Sequence, residues 1–126
     1  MSNLASASFY SIRLRVSLKS SSPPIARTFA PYGTVVTIVK GKVPDTLALV
    51  DSKRIAFLSI DMNAKEPELA AVEYFWERLS SGAVIVLDDY GWRKHTAQRL
   101  AFDKFARARR VPLLALPTGQ GLILKP

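Results

Sequence analysis

The chain of 126 residues has no cysteine, which excludes disulfide bridges and thiolate metal centres and leaves a reducing compartment compatible with its composition. No apolar run approaches the roughly 18 residues of a membrane-spanning helix, so neither a span nor a membrane partner is expected, and a cytoplasmic location is. The six glycines stand apart at Gly33, Gly41, Gly82, Gly91, Gly119 and Gly121, and none follows an N-terminal strand-like run. That excludes the glycine-rich turn with which many nucleotide-binding sheets approach their cofactor. No acid precedes Asp45: Arg13, Arg15, Lys19, Arg27, Lys40 and Lys42 are the charged residues of that stretch. A ribose-binding carboxylate after a second strand is thereby missing too, and much of the formal charge of +8 sits at this end. The length suits one domain, large enough to bury roughly two-thirds of its unfolded surface.

Two segments stand against these absences: IAFLSIDMN (residues 55–63) and AVIVLDDYGW (residues 83–92). Each is an uncharged apolar run that ends in aspartate, Asp61 in the first and Asp88–Asp89 in the second. Runs of about five branched apolar residues read as strands buried on both faces, the kind found in parallel sheets covered by helices. Ligands of such sheets bind at the strand carboxyl ends. Three carboxylates at neighbouring strand ends repel one another and raise their own pKa values unless a cation or a proton is shared among them. A metal or polar-substrate site is therefore the first expectation.

Parallel strands need a crossover, usually helical. Glu66-Pro67 opens one, with Leu69, Val72, Trp76 and Leu79 as its apolar stripe, Glu68, Glu73, Glu77 and Arg78 facing water, and Ser80-Ser81-Gly82 as its stop. A second helix over residues 95–109 packs Ala97, Ala101, Phe105 and Ala108 and pairs Asp103 with Arg107. Strands at 112–116 and 121–125 are joined only by Pro117-Thr118-Gly119-Gln120, too short for a crossover, so they form a hairpin.

A parallel sheet closed by an antiparallel C-terminal hairpin is the layout of Rossmann-like methyltransferases. The strings TFAPYGTVVTIVKGKVPDTL, IDMN, PELAAVEYFWERLSSGAVIVLDDYGW and AFDKFARARRVPLLALPTGQGLILKP resemble the C-terminal half of the macrocin O-methyltransferase (TylF) family of S-adenosylmethionine-dependent enzymes, over about residues 27–126. The resemblance implies an α/β, Rossmann-like three-layer sheet and an O-methyltransferase acting on a hydroxyl of a small molecule or sugar. It implies that Asp61, Asp88 and Asp89 bind Mg²⁺ or a similar divalent cation and that Asp61 doubles as the catalytic base. It places Tyr90 and Trp92 at the substrate cleft. A hard cation bound by such oxygens polarises a hydroxyl and lowers its pKa. Asn63 and Lys65 stand where many members carry an acid and an aromatic, and Lys65 is an alternative counter-charge to a metal. Aspartates at strand ends also serve as helix caps.

The missing glycine-rich turn leaves the S-adenosylmethionine-binding residues unassigned. On the family's plan the first two strands are expected to be absent, a helix and strand lie around residues 28–39, and the domain is truncated and inactive alone. In front of it, residues 1–26 form a divergent segment in which YSIRLRVSLK alternates strictly, a strand over residues 10–18 with one buried face. That strand is expected to pair with residues 34–39 or to shield the edge of residues 55–60. A bare edge would template pairing with a second copy, so a homodimer is the expected assembly. A transit peptide is the other reading of the acid-free start. Two further functional classes remain. One is a nucleic-acid module using Arg93, Lys94, Arg99, Arg107, Arg109 and Arg110 with Tyr90 and Trp92; cations at a helix C-terminus are, however, favoured by the helix dipole anyway. The other is a non-catalytic remnant that serves as an interaction module. His95, the only histidine, reads as a solvent-facing residue at a helix start.

Overall fold

The computed structural model describes residues 11–14 and 27–126. Five strands form one sheet in the order β1-β2-β3-β5-β4: β1 (Ser11–Leu14), β2 (Ile55–Ile60), β3 (Leu79–Leu87), β4 (Leu113–Ala115) and β5 (Gly121–Leu124). β1, β2 and β3 run parallel, and β5 joins β3 and β4 antiparallel. Helix α1 (Lys65–Phe75) links β2 to β3, and α2 (Thr96–Arg109) links β3 to β4. Both crossovers step the same way along the sheet, and right-handed connections that advance in one direction land on one face.

That face holds the core. Register aligns Leu58, Ile85, Ile123 and Leu113 across four strands, and the first three are at most 1 % exposed. Ala71, Val72 and Phe75 of α1 and Phe102, Phe105 and Ala106 of α2 close over them in one cluster. The opposite face carries the row Phe57, Val84, Leu124, where Phe57 is 37 % and Leu124 48 % exposed. Among the described residues, then, the apolar runs are fully buried on one face only, because both helices belong to one covering layer.

Several local expectations are revised. Residues 34–39 form no strand: a 3-10 segment Ala30–Val35 bends at Gly33 (φ 53°, ψ −130°), and residues 36–40 run on without regular structure. β1 pairs with β2 from Ser11↔Phe57 to Leu14↔Ile60, so the β2 edge is shielded as expected, while residues 34–39 pair with no strand among the described residues. The rest of the expected 10–18 strand lies outside the described residues. After α1 a 3-10 turn (Trp76–Arg78) leads directly into β3 at Leu79. Ser80-Ser81-Gly82 thus lies inside β3, where the β2–β3 register shifts and Gly82 takes φ 79°.

On α2 the buried residues are Gln98, Phe102, Phe105 and Ala106, while Ala97 and Ala108 are exposed. The large aromatics fix the helix rotation, since burying a Phe removes far more apolar area than burying an Ala. Asp103 accepts a 2.6 Å hydrogen bond from the Tyr90 hydroxyl in place of the expected Arg107 pair. The Arg109 guanidinium lies 3.8 Å from the Phe105 ring centroid and 5.2 Å from that of Trp76. One member of the supposed cationic face is therefore committed to packing. No described helix is long and apolar enough to cross a membrane.

Candidate functional site

Asp61 and Asp88 directly follow the last residues of β2 and β3. The Asp88 N–H donates to the Ile60 carbonyl (3.0 Å), which continues the parallel ladder and holds the two carboxyl-bearing ends side by side. Asp61, Asp88 and Asp89 are all half-buried. None of them caps a helix: the N-cap positions are Ala64 for α1 and His95 for α2, neither with a side-chain cap.

Asp89 is the most constrained of the three. Its side chain is 12 % exposed, its Oδ1 lies 3.8 Å from His95 Nε2, and its Oδ2 is buried with no hydrogen-bond partner. Burial pushes the Asp89 carboxyl above its ordinary range; His95 offsets part of this, and the like charges of Asp88 and Asp61 add to it. The repulsion expected from the sequence is thus felt at Asp89. Asp88 Oδ1 accepts a hydrogen bond from Gln120 Nε2 at 2.9 Å. Lys65 does not neutralise the acids, since its ammonium pairs with Glu66 at 3.0 Å on the surface.

His95 is not solvent-facing. Its side chain is 18 % exposed, and its Nδ1 lies 2.7 Å from Nε2 of the buried Gln98. Tyr90, expected at the substrate cleft, is 6 % exposed. Its hydroxyl is spent on Asp103 and its ring lies where a Cβ on Gly121 would fall, so it locks the loop to the sheet. Burial, then the bond to Asp103, raise its phenol above the usual value. Trp92 is 59 % exposed and presents its indole beside Gly119 of the hairpin tip.

Glu68, expected to face water, is 3 % exposed. Its Oε1 accepts from the N–H groups of Met62 and Ala64 at 3.3 Å each. It thereby shapes the chain between Asp61 and α1, using donors that a helix start leaves unpaired. Burial raises its pKa above 4.5, the two backbone bonds lower it, and the charge of Asp89 raises it again. For a carboxyl whose pKa is raised by folding, the cost of the charge is absent below the unfolded pKa and grows as pH rises through the folded value. Glu68→Gln, which keeps the acceptor, should therefore match the wild type below about pH 4 and exceed its melting temperature at pH 7. Glu68→Ala should lose about 1–3 kcal/mol at either pH, because buried donors go unpaired. Thermal melts across pH check both; a Glu68→Gln deficit at pH 7 would contradict this account.

As it stands, no group of three or more His, Cys, Asp or Glu side chains among the described residues is drawn close enough to hold a metal ion. The chemistry of the donor set nonetheless fits a hard cation. It comprises three carboxylates, one with an orphaned buried oxygen, and the mutual repulsion of such a set is relieved by positive charge. For S-adenosylmethionine the sequence offers no glycine-rich turn or acid in residues 15–26.

A family model described as macrocin-O-methyltransferase (TylF) matches residues 6–115, starting upstream of Arg27 and ending before β5. No curated protein sequence matches. Among solved structures, the O-methyltransferase NovP superposes with TM-score 0.63 at 18 % identity, covering 80 % of this chain and 43 % of NovP. CalS11, a TDP-rhamnose 3'-O-methyltransferase of calicheamicin biosynthesis, gives 0.60 at 24 %, covering 76 % and 43 %. The SAH-bound Podospora anserina methyltransferase PaMTH1 gives 0.57 at 22 %, covering 83 % and 58 %. At these identities the likeness establishes the Rossmann-like methyltransferase fold, and the chain spans about half the length of the structures it matches.

Proposed function

Since the chain belongs to the macrocin O-methyltransferase (TylF) family, we propose that it carries the acceptor side of a metal-assisted, S-adenosylmethionine-dependent O-methyl transfer to a hydroxyl of a small molecule or sugar. The observation that carries this reading is the unpartnered, buried Oδ2 of Asp89 between two like charges. A folded protein leaves few such oxygens orphaned without a use for them. Asp61, Asp88 and Asp89 would hold the cation, which lowers the pKa of an acceptor hydroxyl. Asp61, half-exposed at the end of β2, takes the hydroxyl proton. Glu68 fixes the backbone just after Asp61, and His95 Nε2 stands 3.8 Å from one oxygen of Asp89. The exposed indole of Trp92 offers a flat apolar surface with a polar edge, suited to one side of a ring-shaped acceptor. All three acids come from one chain, so no second copy is needed to assemble them. A cytoplasmic location belongs to the same reading.

Cofactor binding is a separate matter. Without a glycine-rich turn the chain by itself should bind S-adenosylmethionine poorly, since each lost buried or charge-assisted hydrogen bond removes about 1.5–3 kcal/mol and about 1.4 kcal/mol is a factor of ten. The lack of that turn also favours a second reading, a non-catalytic remnant that keeps the fold to bind a partner. Calorimetric titration separates the two. The proposal expects weak Mg²⁺ binding together with negligible S-adenosylmethionine binding. Micromolar cofactor binding would make the chain an enzyme with an unassigned cofactor loop, and binding of neither ligand would leave the remnant.

A further inference from the structure

The hairpin tip between β4 and β5 is bound to the end of β3 more closely than a turn requires. Leu116 N–H donates to the Gln120 carbonyl (2.8 Å), and Gly119 N–H donates to that of Leu116 (3.0 Å). These two bonds close the turn. Beyond them, Gly91 N–H donates to the Gly119 carbonyl at 2.7 Å, stitching the tip to the loop that carries Asp88 and Asp89. The approach leaves no room for side chains. A Cβ on Gly91 would stand 2.9 Å from the Gly119 oxygen, and one on Gly119, whose φ is +87°, would stand 2.9 Å from the Trp92 indole nitrogen.

The Gln120 side chain crosses this seam to an acid of the site. Its Nε2 donates to Asp88 Oδ1 (2.9 Å), and its Oε1 accepts from the Thr118 hydroxyl (3.1 Å). The second bond sets the amide so that its donor side meets the carboxylate. Backbone groups close the turn and the ladder, and the Gln120 side chain adds its bonds to Thr118 and Asp88 beyond them.

We propose that Gln120 is the positioning residue of Asp88: it engages one carboxylate oxygen, leaves the other for the cation, and so sets cation affinity from the far end of the chain. This rests on the cation reading above. Hydrogen-bonded partners of ligating carboxylates orient them, and their loss costs about 10- to 100-fold in metal affinity. Gln120→Met keeps the length and removes the donor.

The test is a double-mutant cycle on Mn²⁺ affinity, with melting temperatures alongside. Gln120→Met should weaken Mn²⁺ binding by about tenfold with an unchanged melt, and should have no further effect in an Asp88→Asn background, because coupled residues are not additive. Gln120→Ala, which removes the same donor without an apolar tail, should reproduce the loss. Wild-type Mn²⁺ affinity in Gln120→Met, or an equal loss in both backgrounds, would overturn the inference and leave the cation reading standing. A wild type that binds no Mn²⁺ would overturn both.

Discussion

Phe102→Ala should destabilise the fold by about 3–5 kcal/mol, the range for truncating a buried phenylalanine and a large share of the 5–15 kcal/mol that holds a typical domain together. Phe102 is 1 % exposed and packs edge-on to Phe105, whose ring meets Trp76 edge-on at 5.2 Å. Its loss would leave a hole where α2 meets the sheet and α1. Ala97→Ser and Ala108→Ser, on the exposed side of the same helix, should stay within about 0.5 kcal/mol. Urea denaturation of the three variants reads the rotation of α2 directly. A costly Ala97→Ser beside a mild Phe102→Ala would restore the face expected from spacing alone.

That helix shows where sequence was informative and where it was not. The cores of β2 and β3 were legible because an uncharged apolar run between polar residues has few alternatives to a buried strand. The terminal hairpin was legible because four residues cannot make a crossover. The rotation of α2 was not: Ala97, Ala101, Phe105 and Ala108 and the observed Gln98, Phe102, Phe105 and Ala106 both recur at helical spacing, and only the sheet decides which side meets it. Glu68 looked solvated for a similar reason. Its partners, the N–H groups of Met62 and Ala64, are backbone donors that become available only once the chain turns after Asp61. Residues 34–39 have strand-like composition, but a strand exists only with a partner, and among the described residues they have none.

At the site, the three aspartates were legible as residues, and so was their placement at adjacent strand ends. The contacts that shape them were not. Gln120 lies 32 positions from Asp88 in the chain, and nothing local joins them. His95 was misread because its partners are Asp89, across a loop, and Gln98, a residue whose burial depends on the packing of α2. LPTGQGL contributed to the family resemblance, but no spacing rule could show that its glutamine reaches an acid.

Asp89→Asn should act in opposite directions on stability and on binding. The wild-type carboxylate is buried, has an orphaned oxygen and is repelled by Asp88 and Asp61. Removing the charge should therefore raise the melting temperature of the cation-free protein at neutral pH. The same change removes a proposed ligand and should cut Mn²⁺ affinity by more than about 100-fold, beyond the upper end of what losing a ligand's hydrogen-bond partner costs. Gain of stability with loss of binding is the mark of a residue held in place for a ligand rather than for the fold. Asp51→Asn, at an exposed acid before β2, should change neither quantity appreciably.

The most direct measurement of the central claim, that the ends of β2 and β3 form a cation site, is an amide NMR spectrum of the protein titrated with substoichiometric Mn²⁺, whose paramagnetism broadens nearby signals. The account predicts early, selective loss of the amides of Asp61, Met62, Asp88, Asp89 and Gly91, abolished by Asp89→Asn. Broadening centred on surface acids such as Glu66, Glu73 and Glu77, or unchanged by that substitution, would contradict it.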